Sequence, residues 1–172
     1  GTLLYQNAHR LGLNYGPEFQ GVSALRIEGD IVEVALTQGI GLGGEALPIG
    51  FDPVQMDCLL HGLVQAAAGS EFERVGRGLV PIRIARLRVF APGTTLCLGR
   101  LNVRRWGTNS ILVDVTGFGA SGEPVVLFEG LRLQATFLRA PIEFEQHAFH
   151  VTTRPILPRY VAPQIAAFTS AM

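Results

Sequence analysis

The chain has no lysine: its 14 basic residues are all arginine, and 14 acidic residues balance them to a formal charge of zero. A neutral chain without a basic stripe carries no electrostatic footprint for a nucleic-acid backbone, so no nucleic-acid partner is expected. The use of arginine alone has the character of GC-rich coding. Cysteine is nearly as scarce. Cys58 and Cys97 stand at no metal-ligand spacing and read as small core residues rather than as a disulfide. Apolar runs fall short of the ~18 residues that a membrane span needs, and the first residues have neither the charged nor the apolar region of a secretion signal. The expectation is a cytoplasmic chain with no membrane contact. No internal repeat is visible. What the chain has is apolar substance: 48% hydrophobic residues over 172 positions and a mean hydropathy of +0.30 supply one sizeable core.

The stretch from Phe51 to Ser70 is the one around which the rest of the chain is organised. Asp52 before Pro53 is an N-cap followed by proline at the first helical position, Gln55 is placed to reach back as a capping-box partner, and Gly69-Ser70 is a stop. A helix is predicted over about 53–68. Val54, Met56, Cys58, Leu59, Leu60, Leu63, Val64 and Ala66 to Ala68 go around most of its circumference, the pattern of a helix enclosed by protein. Asp57, His61 and Gln65 interrupt it at successive i, i+4 spacings and share one narrow stripe. The residues alone leave two readings of Asp57 and His61 open. One is a buried polar pair that merely satisfies itself; the other is a functional pair, for which the desolvation cost of a lone buried ion pair argues, and the residues alone weigh the two about equally.

Around the helix the pattern is that of strands. Thr2 to Leu11 is weakly periodic and short enough for one helix, and it leads into a Gly-Pro turn at residues 12–19. Val22 to Glu28 and Ile31 to Thr37 flank Gly29-Asp30 as a hairpin. Residues 38–50 read as loop. Beyond the helix come four strand-like runs, Leu79 to Ala91, Thr95 to Trp106, Ser110 to Phe118 and Pro124 to Phe137, with turns between them. Consecutive strands are expected to be antiparallel neighbours. An α+β fold follows, in which an antiparallel sheet wraps one long buried helix. The compact domain is expected over residues 1–138. Pro141, Pro155, Pro158 and Pro163 mark residues 139–172 as a tail or interdomain linker.

Three further patterns have plain explanations. Gly39 to Gly44 satisfies G-x-G-x-x-G, but no helix opens at the third glycine and Pro48 follows closely, so it reads as a surface loop. Glu143, Glu145, His147 and His150 could be drawn as a metal cluster; in a proline-rich tail they read as solvated, and no metal is expected. Arg83, Arg86 and Arg88, with Arg100, Arg104 and Arg105, read as the solvated face of two adjacent strands. The sharper reading is a contact with phosphate or an acidic partner.

The order of these motifs resembles the C-terminal half of a polyketide synthase dehydratase domain. Tyr15-Gly16-Pro17-Glu18-Phe19 is similar to that family's tyrosine-glycine-proline-x-phenylalanine signature, and Asp57 with His61 to its second catalytic motif, an aspartate followed four residues later by glutamine or histidine. Leu79-Val80-Pro81 is similar to its leucine-proline strand, with Ile82 and Ile84 where aromatic residues are usual. The resemblance implies a double hot-dog fold of which this chain is one half. It implies Asp57 as the catalytic acid, His61 as the group that orients it, and Tyr15, Gly16, Pro17, Phe19 and Pro81 as substrate-binding positions.

The family's catalytic histidine lies in a histidine-x-x-x-glycine-x-x-x-x-proline motif that none of His9, His61, His147 or His150 satisfies. The resemblance therefore implies removal of water from a β-hydroxyacyl thioester with the base supplied by a missing N-terminal half, and a chain inactive alone. Burial of Asp57 in the helix is expected to keep its proton in place near neutrality. No cofactor is implied beyond the phosphopantetheine of the acyl carrier protein that brings the substrate. The implied partners are that carrier, other polyketide synthase domains, and a second hot-dog half or a copy of the chain. Related domains act as double-bond isomerases or cyclases, a degenerate half would serve as a non-catalytic scaffold, and a single hot dog could act as a homodimeric thioesterase or acyl-binding protein.

Overall fold

A computed structural model describes residues 2–41 and 50–138. The predicted 139–172 tail, with its acidic and histidine residues, and most of the glycine-rich loop lie outside the described residues.

The central helix α2, Pro53–Ala66, begins as its sequence dictates. The Asp52 carboxylate accepts from Val54 N at 2.8 Å and Gln55 N at 3.4 Å, and Pro53 sits where no N–H is needed. Gln55 is not the capping-box partner. Its side-chain amide donates to Ile40 O at 2.9 Å and its carbonyl accepts from Leu96 N at 2.9 Å, joining the helix to two loops. Gln55 is 4% exposed. Gln55→Leu should therefore cost about 1–3 kcal/mol for each backbone group left unsatisfied, read as a lower denaturant midpoint with an unchanged slope.

Two helices and a sheet surround α2. Helix α1, Thr2–Arg10, buries Leu4 and Ala8, with Leu11 beyond its end, and a 3-10 turn follows at Pro17–Phe19. Strands β1, Val22–Glu28, and β2, Ile31–Leu36, form the predicted hairpin, its turn at Gly29 with φ +57°. Gly62 is in mid-helix because β2 passes so close: a Cβ there would meet Val34 Cγ2 at 2.5 Å and Val32 Cγ1 at 2.9 Å. After a short helix α3, Glu71–Arg74, come β3, Gly78–Arg83, β4, Arg86–Val89, β5, Leu98–Trp106, β6, Ser110–Phe118, and β7, Pro124–Thr136. The sheet order is β1-β2-β5-β6-β7-β3, with β4 also paired to β7, and every pairing is antiparallel. Leu59 and Leu63 of α2 are fully buried in one core with Leu101, Ile111, Val113, Val115, Leu131 and Leu133. This is the expected hot-dog arrangement.

Two expectations change. The run 79–91 is not one strand, because β7 carries a bulge: Gly130 has φ +61°, its N–H donates to Asp114 Oδ1 at 2.7 Å, and a Cβ on it would stand 2.9 Å from Ala85. The facing strand breaks at Ile84-Ala85, and the bulge moves the buried phase of β7 from Val126 and Phe128 to Leu131, Leu133 and Ala135. Consecutive strands are also not all neighbours. β5 pairs with β2, while β3 and β4 return to β7, so the two arginine groups are separated by β6 and β7 instead of lying on adjacent strands. Those arginines are mostly paired on the surface: Arg100 with Glu33, Arg104 with Asp114, and Arg86 and Arg88 with Glu129. Exposed pairs of this kind contribute little, about 0–1 kcal/mol each, and fit a solvated face.

Candidate active site

The polar stripe of α2 folds into two unequal parts. Asp57 Oδ2 and His61 Nε2 are 3.1 Å apart, as i, i+4 spacing allows. The imidazole is 1% exposed and the carboxylate 40%. The expected deep burial of Asp57 is thus not met within this chain: His61 is roofed by aromatic rings, whereas Asp57, one turn nearer the helix start, is left open. Gln65, the third member, turns to α1, where Asn7 Nδ2 donates to its Oε1 at 3.4 Å.

The roof comes from the Gly-Pro turn and from α1. Tyr15 lies over His61 with ring centroids 3.9 Å apart and planes at 42°, and Tyr5 meets the same imidazole edge-on at 5.7 Å. The turn holds Tyr15 rigidly: Phe19 N donates to Gly16 O at 2.9 Å, and Gln20 Nε2 to Tyr15 O at 3.0 Å. Burial, reinforced by the Asp57 charge, pushes the Tyr15 phenol well up from its ordinary value, so it stays protonated. Phe19 packs against the core, and its carbonyl accepts from the Cys58 thiol at 3.2 Å. Burial pushes that thiol up to about 11, which leaves it a donor and not a nucleophile at neutral pH.

Of the predicted site residues, the structure brings Asp57, His61 and Tyr15 together, with Gly16, Pro17 and Phe19 forming the turn beneath. Pro81 is elsewhere. It is exposed on β3 opposite Leu133, at the edge of the sheet, where a residue without an N–H is tolerated. Sequence reasoning missed Tyr5, whose hydroxyl accepts from Val22 N at 3.0 Å and lies 3.5 Å from His61 Nδ1. The signal was present: Leu4, Ala8 and Leu11 recur at helical spacing, and Tyr5 borders that buried stripe. Among the described residues, no three His, Cys, Asp or Glu side chains gather as a metal site, and no helix is long and apolar enough to cross a membrane.

An open carboxylate backed by a buried imidazole and walled by apolar rings is suited to handing over a proton beside an apolar ligand. A family model described as the polyketide synthase dehydratase N-terminal domain matches residues 1–139. The chain belongs to the polyketide synthase dehydratase family. This dehydratase-family chain is 33% identical over 130 residues to the pikromycin polyketide synthase component PikAII of Streptomyces venezuelae, a match covering 74% of the chain and 3% of that protein. A trans-AT PKS dehydratase domain from Brevibacillus brevis has the same fold, with a TM-score of 0.66 at 21% identity over 77% of this chain and 46% of that one. So has a bifunctional dehydratase-cyclase domain in ambruticin biosynthesis, with a TM-score of 0.58 at 22% identity over 70% and 42%. The dehydratase-family chain thus spans less than half of either solved domain and a small fraction of the synthase.

Proposed function

We propose that this chain is the C-terminal of the two hot dogs of a polyketide synthase dehydratase domain, and that Asp57 is the acid in removing water from a β-hydroxyacyl thioester. The family model's own description names an N-terminal domain, so the assignment to the second half rests on the motifs: the tyrosine-glycine-proline turn and an aspartate with a supporting residue one helical turn on. The observation that carries the reading is the Asp57–His61 pair, 3.1 Å apart, with the imidazole sealed and the carboxylate open.

A base withdraws the α-proton, the electron pair of that C–H bond forms the α,β double bond, and the β-hydroxyl leaves with the Asp57 proton as water. His61 donates from Nε2 to Asp57 Oδ2 and holds the carboxyl in position, while Tyr15, Gly16, Pro17 and Phe19 shape the adjoining wall. Pro81 belongs to the sheet edge that meets the second half. Exposed Ile82 and Ile84 of that strand region, with Leu87 and Phe90 beyond, support such a neighbour, whether the N-terminal half or a second copy. No resident cofactor enters these steps: the substrate arrives on the phosphopantetheine arm of an acyl carrier protein, within a synthase of several domains. A cyclase of the same fold is a second reading, supported by the likeness to the ambruticin dehydratase-cyclase.

The test is product analysis with both halves present. A β-hydroxyacyl pantetheine thioester should lose one water and gain the absorbance of a conjugated thioester. His61→Gln should retain activity within about tenfold, because an amide supplies the same N–H donor to Asp57. Collapse of activity in His61→Gln would mean that the imidazole itself transfers protons, and a cyclised product would transfer the assignment to the second reading.

A further inference from the structure

His61 has two ring nitrogens, and the proposed reaction uses only Nε2. The other, Nδ1, is buried against Tyr5 Oη at 3.5 Å and has no second partner among the described residues. In a neutral imidazole one nitrogen donates and the other accepts, and the partner of the second nitrogen decides which is which. The Tyr5 hydroxyl accepts from Val22 N at 3.0 Å, which leaves its single proton a choice of two acceptors: Phe19 O at 3.4 Å or His61 Nδ1 at 3.5 Å. Phe19 O already has the Cys58 thiol as a donor at 3.2 Å. Directing the Tyr5 proton at Phe19 would give that carbonyl two donors and strand an accepting Nδ1. Directing it at Nδ1 leaves no group unpartnered. Burial raises the Tyr5 phenol above its ordinary value, so the proton is present at neutral pH.

The opposite tautomer, with the proton on Nδ1, would turn an unprotonated Nε2 toward Asp57. It could then be satisfied only by the carboxyl's own proton, drawn inward from the substrate, and after transfer it would set a lone pair against a carboxylate. The Nε2–H form serves both states of the acid. It donates to Oδ2 throughout and leaves Oδ1 to carry the proton that the reaction consumes.

We propose that Tyr5 is a positioning residue: by donating to Nδ1 it holds His61 in the Nε2–H tautomer and so keeps an N–H pointed at Asp57. This rests on the reading of Asp57 as the acid, and two measurements separate the claims. In the full chain, nitrogen NMR of labelled histidine, with the His61 signals identified by their loss in His61→Gln, should show Nδ1 as the unprotonated nitrogen. Tyr5→Phe, which keeps the ring volume and its edge contact, should convert this to a mixture of tautomers. An Nδ1–H form in the wild type, or identical ring signals in the variant, would overturn the proposal whatever the enzyme's reaction.

In the domain with both halves, Tyr5→Phe should lower kcat about 3- to 10-fold with little change in KM. In the His61→Gln background it should lower kcat no further, because an amide N–H needs no tautomer control. Equal losses in both backgrounds would make Tyr5 a structural residue and overturn the proposal. Full turnover by Asp57→Asn would instead sink the reading of Asp57 as the acid and leave the NMR result to judge Tyr5 alone.

Discussion

Asp57→Asn, made in the complete domain, should lower dehydration of a β-hydroxyacyl carrier by about 10²–10⁴-fold, the usual contribution of one general acid. The substitution is nearly isosteric. Asparagine's carbonyl can still accept from His61 Nε2, so the buried imidazole keeps its partner. Folding should therefore be intact, and the loss should fall on kcat, since the amide binds where the carboxyl does but has no acidic proton to give to the departing hydroxyl. Single-turnover measurement on the loaded carrier separates this from slowed product release. Near wild-type turnover would remove Asp57 from the chemistry and leave His61 as a satisfied core residue.

The helix that carries Asp57 was legible because its signals are local. Asp52-Pro53 determines where it starts, and the apolar circumference of 54–64 determines that it is buried. Strand β6 was read to the residue because its alternation is unbroken, with Ile111, Val113 and Val115 all fully buried. Strands β3 and β4 were not, since the cause of the break at Ile84-Ala85 is a bulge at Gly130, some 45 residues away, and a glycine inside a strand does not announce what it faces. Pairing order failed for the same reason: turn residues specify a hairpin, but not which strand closes on the hairpin β1-β2. In the candidate site the pairing of Asp57 with His61 was readable from their spacing, and the stripe of Leu4, Ala8 and Leu11 pointed to Tyr5, but not to its partners, since Val22, Phe19 and His61 lie in three other elements. The exposure of Asp57 was misjudged because periodicity reports which face of a helix is apolar. It does not report how far the sheet reaches around it.

That exposure bears directly on what the 172-residue chain can do alone. We expect it to fold but to dehydrate a β-hydroxyacyl pantetheine thioester at least about 10²–10⁴-fold more slowly than the complete domain, from loss of the base alone. Elimination requires the α-carbon and the β-oxygen to be gripped from separate walls. His61 cannot be the second wall: it lies on the same stripe as Asp57, its Nε2 is engaged by that carboxylate, and it is 1% exposed. His9, the remaining described histidine, is exposed at the end of α1 and is not part of the Tyr5, Tyr15 and His61 cluster. An open Asp57 also lacks the dry surroundings in which a positioned acid works best, and a second hot dog seated over the carboxylate would supply those along with the base. Adding the N-terminal half as a separate polypeptide should restore conjugated thioester, followed by absorbance or mass, in proportion to complex formed. Efficient dehydration by this chain alone, abolished in His61→Ala, would overturn the half-site reading and make Asp57 and His61 a self-sufficient pair.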